Sequence, residues 1–301
     1  MGLFDTLSGN TKRIVTTMPE DTSEIAYHKN VVSDIVQAQD SIAESNRSAT
    51  WDGYTHVSSL IDFCPRRTYI QHNHKLGQLH QVKGSMRIVW AIGRAVENHI
   101  RNQIISSKPS NCYGVWVCRC KSTKSTGYGP QEIRCRKCKT KCAEYAELSC
   151  FDHDSKVVGN PDLLLLVEGK LLIIEIKSIT DSDSANKSGR GFTSLAAPLG
   201  DHVFQAASYR KILKRKGFKV HDKVVVLYAN KQFSFKSSAY KEFHVEISPQ
   251  TDEVLNISWR KASELSRSIE QKKIPDRCSK CINVHSQQAK NCPVSATCFS
   301  L

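Results

Sequence analysis

Two apolar runs separated by two residues dominate the hydrophobic pattern of this chain. In GNPDLLLLVEGKLLIIEIK, residues 159–177, the pair Glu168-Gly169 lies between the runs 163–167 and 171–176. Such a pair predicts a two-residue hairpin turn. In that register Val167 faces Lys170, and counting away from the turn along both arms sets Asp162 opposite Glu175. Leu163, Leu165, Leu172, Ile174 and Ile176 share one face. Leu164, Leu166, Leu171 and Ile173 share the other, which carries charge only at its end. A hairpin apolar on both faces belongs inside a sheet covered on both sides.

The rest of the pattern is weaker. Residues 1–50 are polar, with Ile25, Val32, Ile35 and Val36 hinting at one amphipathic helix, and read as a peripheral or partly disordered arm. Residues 51–106 read as helical, with Val89, Ile92, Val96 and Ile100 as a buried stripe. Residues 181–200, rich in Ser, Gly and Asp, read as a mobile loop. A helix is expected over 202–216, ended by Gly217, then strands over 223–228 and 243–247, then a long helix over 252–273 stopped by Pro275. This order predicts a mixed α/β core formed by residues 51–110 and 151–301, interrupted by an insertion over 111–150.

The charges at the hairpin's end change the picture. Cross-strand carboxylates would have Cβ atoms roughly 5 Å apart, and like charges so placed repel. Strand periodicity puts Lys177 on the same face as Glu175. Buried charge is costly unless it is paired or bound to a metal. A hard divalent cation held by carboxylate oxygens, with Lys177 beside it, satisfies the arrangement. The plain alternative is a solvated rim or a chance D…E-x-K match, and the apolar setting on both faces weighs against it.

At 301 residues and 40% apolar content, the chain can form one large domain or a domain with a small module. No run of about 18 apolar residues predicts a membrane span, and MGLFDTLSGNTKR lacks the apolar stretch of a secretory signal, so a cytoplasmic protein is expected. A net charge of +14 suits a polyanion partner, DNA or RNA, although basic solvated faces are also common. The 12 cysteines fall in clusters, which favours metals over disulfides. Cys118 and Cys120, then Cys135 and Cys138, form two short knuckles matching a zinc ribbon. Cys142 is a substitute ligand there, while Cys112 and Cys150 look structural. The surrounding Lys and Arg side chains fit a DNA clamp or a solvated face equally well.

Pro161-Asp162 followed by Glu175-Ile176-Lys177 resembles the signature of the PD-(D/E)XK nucleases. The resemblance implies a restriction-endonuclease-like core in which Asp162, Glu175 and the Ile176 carbonyl ligate Mg2+ or Mn2+, while Lys177 positions or deprotonates the attacking water. The chain is similar in two further motifs to nucleases of the RecB, lambda-exonuclease and CRISPR-associated iron–sulfur types. Gly93 followed four residues later by Glu97 matches their first metal-ligand motif; many RecB-like members carry His there, and lambda-type enzymes Glu. Gln205 and Tyr209 match a motif that orients the lysine or contacts phosphate, and Lys231 is a candidate phosphate contact.

VSSLIDFCPRR, residues 57–67, resembles the start of the iron–sulfur nucleases, in which one upstream cysteine joins three at the C-terminus. Cys64 with Cys278, Cys281, Cys292 and Cys298 reproduces that arrangement and implies a [4Fe–4S] cluster. Cys64, Cys278, Cys292 and Cys298 are the favoured set, with Cys281 as rival to Cys278. Zinc held by the four C-terminal cysteines is the alternative. The resemblance implies an exonuclease acting on DNA ends or single strands in a bacterial or phage cytoplasm. No Gly-rich phosphate loop is present, so any helicase or recombination partner would be a separate chain. The competing reading is a catalytically silent nucleic-acid-binding module with the same fold.

Overall fold

The computed structural model describes residues 53–73, 84–232 and 239–301; the arm expected over 1–50, with its helix, lies outside the described residues. The strands are β1 (Thr55–His56), β2 (Cys112–Val117), β3 (Lys124–Tyr128), β4 (Gln131–Arg134), β5 (Lys141–Cys142), β6 (Glu144–Ala146), β7 (Cys150–Asp152), β8 (Val157–Gly159), β9 (Leu163–Val167), β10 (Lys170–Ile179), β11 (Lys223–Asn230) and β12 (Tyr240–Glu246). The helices are α1 (Pro65–Asn73), α2 (Gly84–Ser107), α3 (Asp183–Lys187), α4 (Gly200–Arg215), α5 (Pro249–Glu270), α6 (Gln287–Lys290) and α7 (Ser295–Ser300).

The hairpin of β9 and β10 has the register its turn dictates, from Lys170 opposite Val167 to Ile174 opposite Leu163. Glu168 and Gly169 have φ of 49° and 74°. Two successive positive φ values twist a two-residue turn with the strands it joins, and Gly169 adopts that conformation without penalty. The hairpin sits inside a seven-stranded sheet ordered β12-β11-β10-β9-β2-β3, with β6 also paired to β2. β10 and β11 are parallel, and the other pairings in this sheet are antiparallel. This is the expected mixed α/β architecture, a sheet covered by helices on both faces.

The two hairpin faces enter separate cores. Leu164, Leu171 and Ile173 pack with Ala206, Tyr209, Ile212 and Leu213 of α4, behind which Trp259, Ala262 and Leu265 of α5 close the layer. Leu163, Ile174 and Ile176 pack with Ile100 and Ile105 of α2. Each such Leu or Ile contributes about 2 kcal/mol on burial, and a one-residue slip of register would exchange the two sets between cores shaped for the other.

Three expectations are corrected. Residues 51–106 are not wholly helical: Thr55 and His56 pair in parallel with Val157 and Val158. The stripe on α2 is buried only in its second half, since Val89 and Ile92 are 43% and 49% exposed while Ile100 is buried. Gly93 packs against Ser178, near the end of β10, whereas Ile88, Val89, Trp90 and Ile92 before it are exposed among the described residues. Residues 181–200 contain α3 and are tied down by the Asp181 carboxylate, which accepts from Thr193 N and Oγ1 and from Asn186 Nδ2. Phe192 and Leu195 of this segment are buried.

The segment expected to be a separate insertion shares the main sheet, because Cys112 and Tyr113 of β2 pair with Leu165 and Leu164 of β9. Gly159 governs the approach to the hairpin, since a Cβ there would lie 2.4 Å from Tyr209 Cε1 and 2.8 Å from Val57 Cγ2. Overpacking of this kind costs about 1–3 kcal/mol. Gly159→Ala therefore lowers the thermal unfolding midpoint by several degrees. Gly200→Ala, whose Cβ meets nothing within 4 Å, leaves it in place; equal midpoints for the two variants would contradict the packing described.

Candidate active site

β9 ends at Leu163, so Asp162 is the next step of the antiparallel register, opposite Glu175. Its Oδ2 accepts a 2.7 Å hydrogen bond from Ile176 N–H. In a strand, N–H and C=O of one residue face the same edge. The Ile176 carbonyl therefore also faces the side where β9 has ended, beside Asp162. Glu175 is fully buried. Lys177 Nζ stands 2.5 Å from its Oε1, and its Oε2 has no hydrogen-bond partner among the described residues.

The electrostatics follow from burial. Desolvation, reinforced by the neighbouring Asp162 charge, pushes the Glu175 carboxyl up to about 8 despite Lys177. Burial pushes Asp162 up to about 6, against the pull of Lys177 and the Ile176 amide. Burial disfavours the Lys177 ammonium, but Glu175 and Asp162 outweigh it and hold its pKa above the ordinary lysine value.

Glu97 approaches from α2, on the opposite side of the sheet. Its Oε1 accepts from Ser178 Oγ at 3.1 Å and from Ser178 N at 3.3 Å. Its charge raises the pKa of Asp162, Glu175 and Lys177, so it shares their neighbourhood. Lys231 Nζ lies over Gly93, where a Cβ would come within 3.3 Å of it and 3.1 Å of Ser178 Oγ. Gln205 and Tyr209 stand on one face of α4, Gln205 Nε2 donating to Tyr209 Oη at 2.8 Å. Burial first, then the charge of Glu175, raises the Tyr209 pKa.

Sequence reasoning missed two further neighbours. Glu147, between β6 and β7, raises the pKa of Asp162 and is ion-paired with Arg101 of α2; it was hidden within a segment read only as a metal module. His202 lies three residues before Gln205, and extending the Gln205–Tyr209 face by one turn finds it. Its Nδ1 is 2.8 Å from Tyr228 Oη. That hydroxyl also accepts from Leu199 N–H at 2.9 Å. Burial, with Lys177 and Arg190 nearby, lowers His202 to about 4, and the ring is neutral.

The cysteines form two groups. The sulfurs of Cys118, Cys120, Cys135 and Cys138 all lie within 4.8 Å of one another. Tetrahedral ligation with Zn–S bonds of about 2.3 Å sets sulfurs about 3.8 Å apart. Cys118–Cys120 and Cys120–Cys135 are each separated by 3.6 Å, so this group could hold a metal ion. Cys142 is a near neighbour whose pKa these thiols raise, after burial. Cys112 and Cys150 are buried, and desolvation pushes their thiols up to about 11 and about 12.

In the second group Cys278 and Cys281 have sulfurs 3.2 Å apart. Burial, then Cys278, Cys64 and Cys292, pushes Cys281 up to about 12. Cys64 is raised by burial, then by Cys278 and Cys292. Cys281 lies beside Cys278, for which it is the rival, while Cys298 faces Arg66. Cys298 Sγ accepts from Arg66 Nε at 3.2 Å, and the Cys298 carbonyl from Arg66 Nη2 at 3.1 Å. Arg66 thereby ties α1 to the tail.

No family model matches the chain, and no curated relative does. Among solved structures, one described as SSO0001 aligns with a TM-score of 0.42 and 14% identity over 91% of this chain and 98% of that one. LHK-Exo in complex with dAMP aligns at 0.41 and 12% identity, covering 73% and 91%. An alkaline exonuclease (LHK-Exo) from Laribacter hongkongensis aligns at 0.39 and 11% identity, covering 73% and 93%. At scores below 0.5, the chemistry of this chain rests on its own residues.

A carboxyl raised on folding binds protons that the unfolded chain has already released. For Glu175 that window runs from the ordinary 4.5 to about 8, and the metal-free protein loses stability as pH rises through it. Glu175→Gln removes the buried charge. It should raise the metal-free midpoint at pH 9 by about 2–4 °C, equivalent to ~1 kcal/mol. Mn2+ at one hundred times its Kd should stabilise wild type by about 2.7 kcal/mol and leave Glu175→Gln unmoved. Scanning calorimetry checks both; a variant that loses stability at pH 9, or still responds fully to Mn2+, contradicts this electrostatic account.

Proposed function

We propose that this chain is a metal-dependent DNA nuclease of the PD-(D/E)XK superfamily, RecB-like in its motifs, and an exonuclease on DNA ends or single strands. The observation that carries the reading is the fully buried Glu175, whose Oε2 lacks a partner among the described residues, beside a second raised carboxyl. The buried Glu175, the half-buried Asp162 and one lysine leave a net negative charge that needs a cation. The donors are all oxygens, which suits Mg2+ or Mn2+.

Asp162, Glu175, the Ile176 carbonyl and Glu97 would hold the ion. A hard divalent cation there lowers the pKa of bound water and stabilises charge on the phosphodiester. Lys177, kept protonated by its two carboxylates, donates from Nζ and orients the attacking water and a phosphoryl oxygen. The water oxygen bonds to phosphorus as the bond from phosphorus to the sugar oxygen breaks; the water gives its proton to solvent, and the leaving sugar oxygen takes one up from it. Tyr209, braced by Gln205, fixes the lysine side of the site. His202 offers a neutral N–H, and Lys231 a cation for a flanking phosphate.

The two cysteine groups supply rigidity. Cys118, Cys120, Cys135 and Cys138 would hold structural zinc. Cys64, Cys292, Cys298 and either Cys278 or Cys281 would hold a [4Fe–4S] cluster that ties α1 to the tail, with zinc as the alternative ion. Protein purified without oxygen should be brown and contain about four iron atoms per cluster together with zinc. A colourless preparation holding zinc alone would overturn the cluster assignment.

A silent DNA-binding module would explain the positive charge. It gives no reason for an intact set of Asp162, Glu175 and Lys177 around a buried, unpartnered carboxylate. End-labelled linear and circular DNA incubated with Mg2+ or Mn2+ separates the readings. Wild type should degrade the linear DNA, and Lys177→Ala should lose at least ~100-fold in rate, as removal of a positioned acid–base group does, while DNA affinity stays within a few-fold. Cleavage unchanged in Lys177→Ala, or its absence from wild type, would sink the nuclease reading.

A further inference from the structure

The two knuckles around the four-cysteine group are near copies: Cys118-Arg119-Cys120-Lys121-Ser122-Thr123 and Cys135-Arg136-Lys137-Cys138-Lys139-Thr140. The same backbone bonds close both. Lys121 N donates to Cys118 O and Lys139 N to Cys135 O, at 2.7 and 2.9 Å, while Cys118 N and Cys135 N donate to the carbonyls of Thr123 and Thr140. Each copy carries a lysine in the left-handed region, Lys121 at φ 57° and Lys139 at φ 59°. Glycine takes that conformation freely, whereas an L side chain is strained there. The same strain thus recurs, with the same residue type, at equivalent positions.

Strain of this kind persists where the side chain has a use. Lys121, Lys139, Arg119 and Arg136 are exposed, and none has a carboxylate within ion-pair distance among the described residues. Between Cys118 and Lys141 the sequence holds eight basic residues and one acid, Glu132, and Glu132 is taken by Lys141. Four thiolates around a divalent ion carry two negative charges, too few to cancel this excess. The module is joined through β2 to β9 of the hairpin, so whatever it grips is held at the sheet carrying the acids.

We propose that the paired knuckle tips, Arg119 with Lys121 and Arg136 with Lys139, form a second grip on the DNA backbone, outside the cleavage site. The proposal rests on the DNA reading above and deepens it. Such a grip contacts phosphates without reading sequence, and it weakens with salt.

The test is Lys121→Gly with Lys139→Gly in the full-length, zinc-loaded protein. Binding to labelled DNA is measured by anisotropy without Mg2+ or Mn2+ across a salt series. The expected variant keeps its zinc, shows an unchanged or raised thermal midpoint, and binds DNA roughly ten-fold more weakly. Its plot of log affinity against log salt becomes shallower by about 2 for duplex DNA. Cleavage at saturating DNA stays at the wild-type rate. Lys121→Asn with Lys139→Asn, which tolerates the same backbone, should behave alike if the glycines loosen the knuckles. Unchanged affinity and salt slope, or a loss of stability in both pairs, overturns the proposal and leaves the nuclease reading standing. Wild-type protein that neither binds nor cuts DNA overturns that reading itself.

Discussion

The structure turns on a carboxylate that its surroundings do not satisfy. Glu175 is fully buried, and hydrophobic burial of the hairpin holds it there. On one side Leu164, Leu171 and Ile173 lock the strands to α4; on the other, Leu163, Ile174 and Ile176 lock them to α2. Several kilocalories of apolar burial thus enforce a charge arrangement that would fly apart if free. The Ile176 amide holds Asp162 at 2.7 Å, and Lys177 balances only part of the charge. The resulting preference for protons or a cation is a property of the fold.

The same hairpin organises what surrounds it. β2 extends the sheet from β9 and carries the knuckles, and Glu147 returns from that excursion to the acids, held by Arg101 of α2. Gly114 lets this happen, since a Cβ there would lie 2.3 Å from Tyr145 Cε2. At the other end of the chain, Arg66 donates to the Pro275 carbonyl and to Cys298, fixing α1 to the tail next to the second thiol group. The two cysteine groups therefore lie at different walls of the fold.

The hairpin was legible because a two-residue turn with positive φ allows one register, and two-sided apolarity allows one environment. Elements with glycine or proline stops, such as α4 and α5, were legible for similar reasons. The exposed start of α2 was not, because periodicity reports an apolar face and not what covers it. Asp181 organises a segment whose composition suggests a loop, because side-chain-to-backbone bonds leave no periodic trace. Glu147 is distant in sequence from the acids it joins, and His202 needed its helical phase relative to Gln205. Which of the C-terminal cysteines neighbour one another was equally invisible, since spacing does not show that Arg66 engages Cys298.

The central claim is that Asp162 and Glu175 share one cation with the Ile176 carbonyl. Anomalous scattering from crystals grown with Mn2+ tests it most directly. The account predicts a single strong manganese peak with oxygens of Asp162 and Glu175 and the Ile176 carbonyl at about 2.0–2.3 Å, the range of small hard divalent ions. A map with no peak between these carboxylates in crystals soaked at saturating Mn2+, or with the ion held elsewhere, would contradict it.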